Sequence, residues 1–237
     1  MSGMPYTPTQ LGVRPAPALV QQLLIGAFGW MFAGLLLSAG VAYFVGSSEQ
    51  MLAAVTQWWL LIIIGQLVLG IGIQAAINKV SPTVSLALFF AFAASMGLTI
   101  GVIVWSVMQQ AGGTQAVASA FLSASAMFGA AAVYGAVTKR DLSSMGGILF
   151  MGIIGLLVAM VVNIFLASDV IGWAISILGV GLFTALTAYD VQRISRGDYA
   201  AITGSPERAS ILAALHLYLN FINLFLFMLR IFGGNRG

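Results

Sequence analysis

The sequence predicts an all-α membrane protein with seven transmembrane helices, and three observations carry that prediction. Hydrophobic residues make up 60% of the 237-residue chain and charged residues only 6%, against roughly 25% charged in an ordinary soluble domain. A soluble core could not hide so much apolar surface and still show water a polar face. The 9 basic and 6 acidic residues are also bunched, leaving long uncharged runs between them. About 20 mainly apolar residues suffice to cross a hydrocarbon core of about 30 Å. Finally, no run alternates as a barrel strand does. Lipid then leaves continuous helix as the way to satisfy the backbone.

In order along the chain, residues 1–21 hold four prolines and a single charge, Arg14, and read as a disordered cytoplasmic tail. The apolar run from Leu23 to Val45 is too long for the core of a secretory signal, so it reads as a retained first span. The seven spans fall near 22–46, 52–77, 83–109, 114–137, 143–167, 170–192 and 209–231. Together they make a transmembrane domain over 22–232, with 233–237 as a short C-terminal tail. The connections at 46–50, 78–82, 110–113 and 138–142 are short, and only 193–208 is a loop of any size. The 28 glycines, many beside alanine and serine, suit close helix contacts rather than strand turns.

Charge and composition exclude several function classes. Cysteine is absent, which removes disulfides, thiol chemistry and thiolate metal sites. The net charge of +3 comes without a basic tract or a nucleic-acid module, so no nucleic-acid partner is expected. With the N-terminus cytoplasmic, that side holds Arg14, Lys79, Lys139, Arg140, Arg193, Arg196 and Arg208, and the other side only Arg230 and Arg236. The positive-inside bias therefore predicts the N-terminus in and the C-terminus out.

Candidate functional residues are few. Asp190 is the one acid inside a predicted span. An acid at a helix centre costs about 2.5–3.5 kcal/mol on insertion scales. One reading is a local ion pair with Arg193, three residues on. The favoured reading is an ionisable group facing a polar cavity. On the seventh span His216, Asn220 and Asn223 are offset by four and then three residues. At about 100° per residue they share a sector of roughly 60°. His216 and Asn220 read as part of a site and Asn223 as interhelical glue. Asn163 reads as a packing hydrogen bond, Asp141, Ser143 and Ser144 as helix caps, and Asp169 as a solvated turn residue. Ser95, Thr99, Thr184 and Thr187 should bond their own helix backbones.

Several stretches then converge. Residues 133–135 with 138–143, 188–194 (Ala-Tyr-Asp-Val-Gln-Arg-Ile) and 217–225 (Leu-Tyr-Leu-Asn-Phe-Ile-Asn-Leu-Phe) resemble the Bax inhibitor-1 family, as do 93–99 and 162–165. The resemblance runs from the first span to the seventh and fits a bacterial-type member of an inner membrane. It implies seven helices with the last one central and surrounded by six, and a pH-sensitive calcium leak through the membrane. The sensor it implies is a pair of aspartates sharing a proton near the cytoplasmic side, one in the sixth span and one in the seventh. Asp190 matches the first, but Asn220 stands where the second is expected. An amide cannot share or release a proton, so the like-charge repulsion that splits such a pair's titration is absent. His216, on the same stripe, is the side chain whose unperturbed titration lies near neutrality, and any pH response between about 5 and 8 is expected to come mainly from it. Bacterial relatives are also connected with membrane-protease quality control, so a non-conducting regulator or binding partner of membrane proteins is the competing expectation.

Enzyme readings fail on the same residues. A retinal Schiff base needs a lysine within a late span, and Lys79 and Lys139 lie in connections. An intramembrane aspartyl protease needs two carboxylates sharing a proton, and no second acid lies in a span. A zinc protease needs more than one histidine. No enzymatic activity and no cofactor are expected, with calcium as the ion moved. Calcium prefers 6–8 oxygen ligands, so contact at Asp190 should be weak rather than a tight metal site.

Overall fold

The computed structural model describes residues 15–234. Among these the chain forms α1 (Pro17–Gly46), α2 (Glu49–Gln57), α3 (Trp59–Ala76), α4 (Pro82–Met108) and α5 (Gly113–Val137). A short 3-10 turn, Ser143–Met145, leads into α6 (Gly146–Leu166), followed by α7 (Asp169–Ser195), α8 (Asp198–Thr203) and α9 (Pro206–Gly233). Seven of these helices are long and apolar enough to cross a membrane. The chain is an all-helical, multi-pass membrane protein.

The helix boundaries differ from the sequence expectation in three places. The first helix starts at Pro17, ahead of the expected 22, because proline fits the first helical position, where its missing N–H is not needed. Of the predicted tail, residues 1–14 lie outside the described residues. The second span is broken at Trp58 (φ −99°, ψ 15°), so only α3 has the length of a span. Its forerunner α2 is amphipathic: Ser48 caps it by accepting from the Met51 N–H, and Leu52 and Val55 are buried with Val45. The 193–208 loop, in turn, contains α8, bracketed by Gly197 (φ +75°) and Gly204 (φ +65°). Left-handed backbone at both positions favours glycine.

The described residues fall into two compact units, 15–109 with 194–218, and 110–193 with 219–234. In the first unit α1 and α3 pack on α4, with α2 against all three. A methyl group on Gly97 would come within 2.7 Å of the Ser38 carbonyl oxygen, and one on Gly101 within 2.9 Å of the Ala42 carbonyl oxygen. Glycine four residues apart on α4 is what lets the two backbones approach. The Ser38 hydroxyl donates to the Ala93 carbonyl (2.7 Å) and meets the Tyr218 hydroxyl at 2.7 Å. In the second unit Phe221 packs edge-on against Phe121 and Phe128, and Phe183 stacks on Phe227. Gln192 holds the connection before the 3-10 turn, accepting from the Leu142 N–H (2.9 Å) and donating to the Arg140 carbonyl (2.8 Å).

Burial differs sharply between spans. In α9, 78% of the apolar window is buried, against 6% in α3. Elsewhere large apolar side chains such as Phe165 and Leu178 stand exposed, a surface that lipid covers and water would not.

The glycine contacts give a direct test. Gly97→Ala should destabilise the protein by about 1–3 kcal/mol through overpacking. Gly65→Ala, whose methyl meets nothing within 4 Å, should leave stability unchanged or raised. Thermal unfolding of both variants in detergent, followed by circular dichroism, measures the difference.

Candidate functional site

Asp190 sits one and a half turns before the end of α7, in a stretch where Leu186, Thr187, Ala188, Val191, Gln192 and Ile194 are buried as well and Arg193 is partly exposed. The carboxylate is buried, with the residue 4% exposed. In the same unit Asn220, on α9, is 5% exposed and donates from Nδ2 to Asp190 Oδ2 at 2.8 Å. Arg193 Nη1 lies 3.9 Å from the other carboxylate oxygen, and its guanidinium stands 5.5 Å from the centre of the Tyr189 ring. Both readings of Asp190 therefore have a counterpart. The i,i+3 pair with Arg193 exists but is long, while the short bond crosses from one span to another. A hydrogen bond to a charged group contributes about 1.5–3 kcal/mol, which offsets part of the cost of burying the carboxylate.

His216 stands one turn before Asn220 on α9 and meets partners of its own. In the first unit its Nδ1 lies 2.8 Å from the Tyr199 hydroxyl and its Nε2 3.2 Å from Gln74 Oε1. The Tyr199 and His216 rings meet edge to face at 5.5 Å. Gln74 is oriented by donating from Nε2 to the Gly70 carbonyl at 3.3 Å. Its Oε1 can only accept, so His216 Nε2 is the donor to it, while the direction of the bond between Nδ1 and the Tyr199 hydroxyl follows the tautomer.

Asn223 does not act as interhelical glue. Its Nδ2 donates to the Leu219 carbonyl of its own helix at 2.8 Å, so the third member of the stripe is spent locally. The back-bonds fall as expected, with Ser95, Thr99, Thr184 and Thr187 donating to carbonyls of their own helices. Of the three expected caps, Asp141 accepts from the Ser143 N–H in the turn, whereas the 3-10 turn and α6 start at Leu142 and Met145 without a side-chain cap. Asn163 accepts from the Ser168 N–H at the end of α6 rather than bonding across helices.

Sequence reasoning missed several participants. Tyr199 and Asp198 lie in the 193–208 stretch, yet both are buried. Nothing in their spacing marks them, because α8 is too short to show a period. Gln74 and Gln66 were available as signals, being uncharged polar residues within an apolar span. Gln66 donates to the Ser95 carbonyl (2.7 Å) and to Thr99 (3.3 Å). Among the described residues no three histidine, aspartate or glutamate side chains converge as a metal cluster.

Known proteins resemble this chain in sequence. The family model described as "Inhibitor of apoptosis-promoting Bax1" matches residues 20–237. Inner membrane protein YbhL of Escherichia coli is 41% identical over 94% of this chain and 96% of its own length. Uncharacterized proteins of Deinococcus radiodurans and Borreliella burgdorferi are 40% and 37% identical, over 90% and 91% of this chain and 90% and 93% of theirs. With the family model spanning every transmembrane helix, this chain belongs to the Bax inhibitor-1 family.

Proposed function

We propose that this chain is a weak, pH-responsive calcium leak of a bacterial inner membrane, with the N-terminus cytoplasmic and the C-terminus outside. The observation that carries the reading is the buried Asn220–Asp190 hydrogen bond between two spans. An acid kept inside a membrane span, at a cost, marks an ion or proton pathway by default. The heavy burial of α9 supports its placement at the centre of the helices. Calcium passing Asp190 meets one carboxylate and amide oxygens, a set too small for tight binding and suited to transient contact. The carboxylate has an amide partner, so no proton is shared across this pair, and the reading assigns the pH response to His216, held by Tyr199 and Gln74. The proposal assigns no enzymatic step, because two-carboxylate chemistry needs an acid where Asn220 stands.

The orientation is checked with a reporter fused after Gly237, which should be active only outside the cytoplasm.

Conduction is checked in liposomes loaded with a calcium dye. Asp190→Asn should reduce calcium flux by about tenfold or more, since about 1.4 kcal/mol of added barrier suffices. The same change should cost stability only about 1 kcal/mol, the difference between a charged and a neutral hydrogen bond. If the native protein gives no flux at any pH, the non-conducting regulator of other membrane proteins takes its place.

The pH response is checked in the same assay. His216→Gln should flatten the native dependence between about pH 5 and 8. Asn220→Asp places two carboxylates where one stood and should add a new pH-dependent step, because such a pair titrates as a unit. A native profile unchanged by both substitutions would remove His216 and the Asp190–Asn220 pair from the sensor.

A further inference from the structure

Within the second unit a groove of about 840 Å³ lies among α5, α7 and the connection that enters α6. Its size falls within the ~300–1,000 Å³ of ordinary ligand sites. Met127, Ala131, Gly181 and Ala185 form its apolar walls, and Arg140, Asp141 and Ser144 of the connection form its polar mouth. Val133, Val137, Ile177 and Leu178, on the same two helices, are exposed, so the groove opens on a lipid-covered surface. Beside Ala188, which lines it, α5 and α7 are in close contact, because a methyl group on Gly135 would collide with the Ala188 backbone. Gly181 is the opposite case, since a methyl group there meets nothing within 4 Å.

The mouth has a definite charge. Lys139 and Arg140 follow directly on the end of α5, at the level where a span emerges into the headgroups. Arg140 uses only its backbone on the protein: its N–H donates to Thr138 Oγ1 and its carbonyl accepts from Gln192. Its exposed guanidinium makes no hydrogen bond or ion pair among the described residues. Asp141, the acid beside them, accepts from the Ser143 N–H in the turn. Two bases against one acid, at the headgroup end of an apolar groove open to lipid, match one kind of occupant.

We propose that this groove binds a phospholipid of net negative headgroup, with an acyl chain along the α5–α7 walls and the phosphate at Arg140 and Lys139. Basic pockets between transmembrane helices recognise anionic headgroups on general grounds, and the planar guanidinium suits a phosphate. The proposal does not depend on ion conduction.

Native mass spectrometry of the full chain in detergent, with phosphatidylglycerol or phosphatidylcholine of equal chain length added, tests it. The native protein should retain one phosphatidylglycerol with a preference on the order of tenfold over phosphatidylcholine, since a base near the membrane surface contributes about fivefold. Gly181→Leu fills the groove and should abolish retention of both lipids, with an unchanged unfolding midpoint as the control for folding. The double variant Lys139→Gln/Arg140→Gln changes only exposed side chains and should keep lipid retention while losing the preference. Equal retention of the two lipids by the native protein would overturn the proposal. So would a preference that survives the double variant, undiminished retention in a folded Gly181→Leu protein, or a delipidated dimer that Gly181→Leu dissociates, which would assign the groove to a second copy of the chain.

Discussion

Lipid offers no hydrogen bonds, and most of this structure follows from that. Every N–H and C=O in the hydrocarbon must be satisfied by its own segment, which turns apolar runs of sufficient length into uninterrupted helices. The same constraint governs the side chains. Ser85, Ser176, Thr184 and Thr187 return their hydroxyl protons to carbonyls one turn back, so they cost little wherever they sit. Side chains that cannot be satisfied locally must find a neighbouring helix. That requirement pairs Gln66 with the Ser95 carbonyl, Ser38 with Tyr218, and Asp190 with Asn220. Only the last of these pairs includes a charge, and only there does chemistry beyond structure come into reach.

The amide at position 220 changes what that pair can do. Two carboxylates in one site repel when both are ionised, and their protonation becomes a joint property. A carboxylate beside an amide has a donor that serves its charged form and no second proton to trade. The pair is then a fixed polar contact, able to meet a cation but without a partner that titrates. In the first unit the His216 ring is held at both nitrogens. One ring nitrogen is tied to an acceptor-only oxygen and the other to a hydroxyl able to reverse its role.

How much of this was legible in the sequence depends on whether the signal lies in length or in contact. The spans were legible because hydrophobic length is dictated by bilayer thickness, and the loops because charge is excluded from the core. Asp190 and Asn220 were legible as polar residues in apolar surroundings. The break at Trp58 was not, since neither glycine nor proline marks it. It follows from α2 burying Leu52 and Val55 against Val45, a tertiary effect. Asn223 shares the helical face of Asn220 but reaches only its own backbone, because periodicity fixes direction and not the atom available to meet. Tyr199 was hidden for a similar reason: α8 is too short to show a period, and only the fold shows that its residues are buried.

One turn and a half of α7 ties the second unit together. Ala188 lies against the backbone at Gly135 and forms part of the groove wall. Two residues on, the Asp190 carboxylate accepts from Asn220. Two further on, Gln192 holds both the Arg140 carbonyl and the Leu142 N–H, and so fixes the connection that presents Arg140 to the headgroups. An α-helix is stiff over so short a length, with about 1.5 Å of rise per residue and each turn bonded to the next. The segment cannot rotate or slide at Ala188 without carrying Asp190 and Gln192 with it. Packing at Gly135 resists such movement, because a close-packed contact has discrete arrangements rather than a continuous range. Ala188 at the groove wall and Asp190 in the buried bond to Asn220 therefore belong to one stiff stretch of α7.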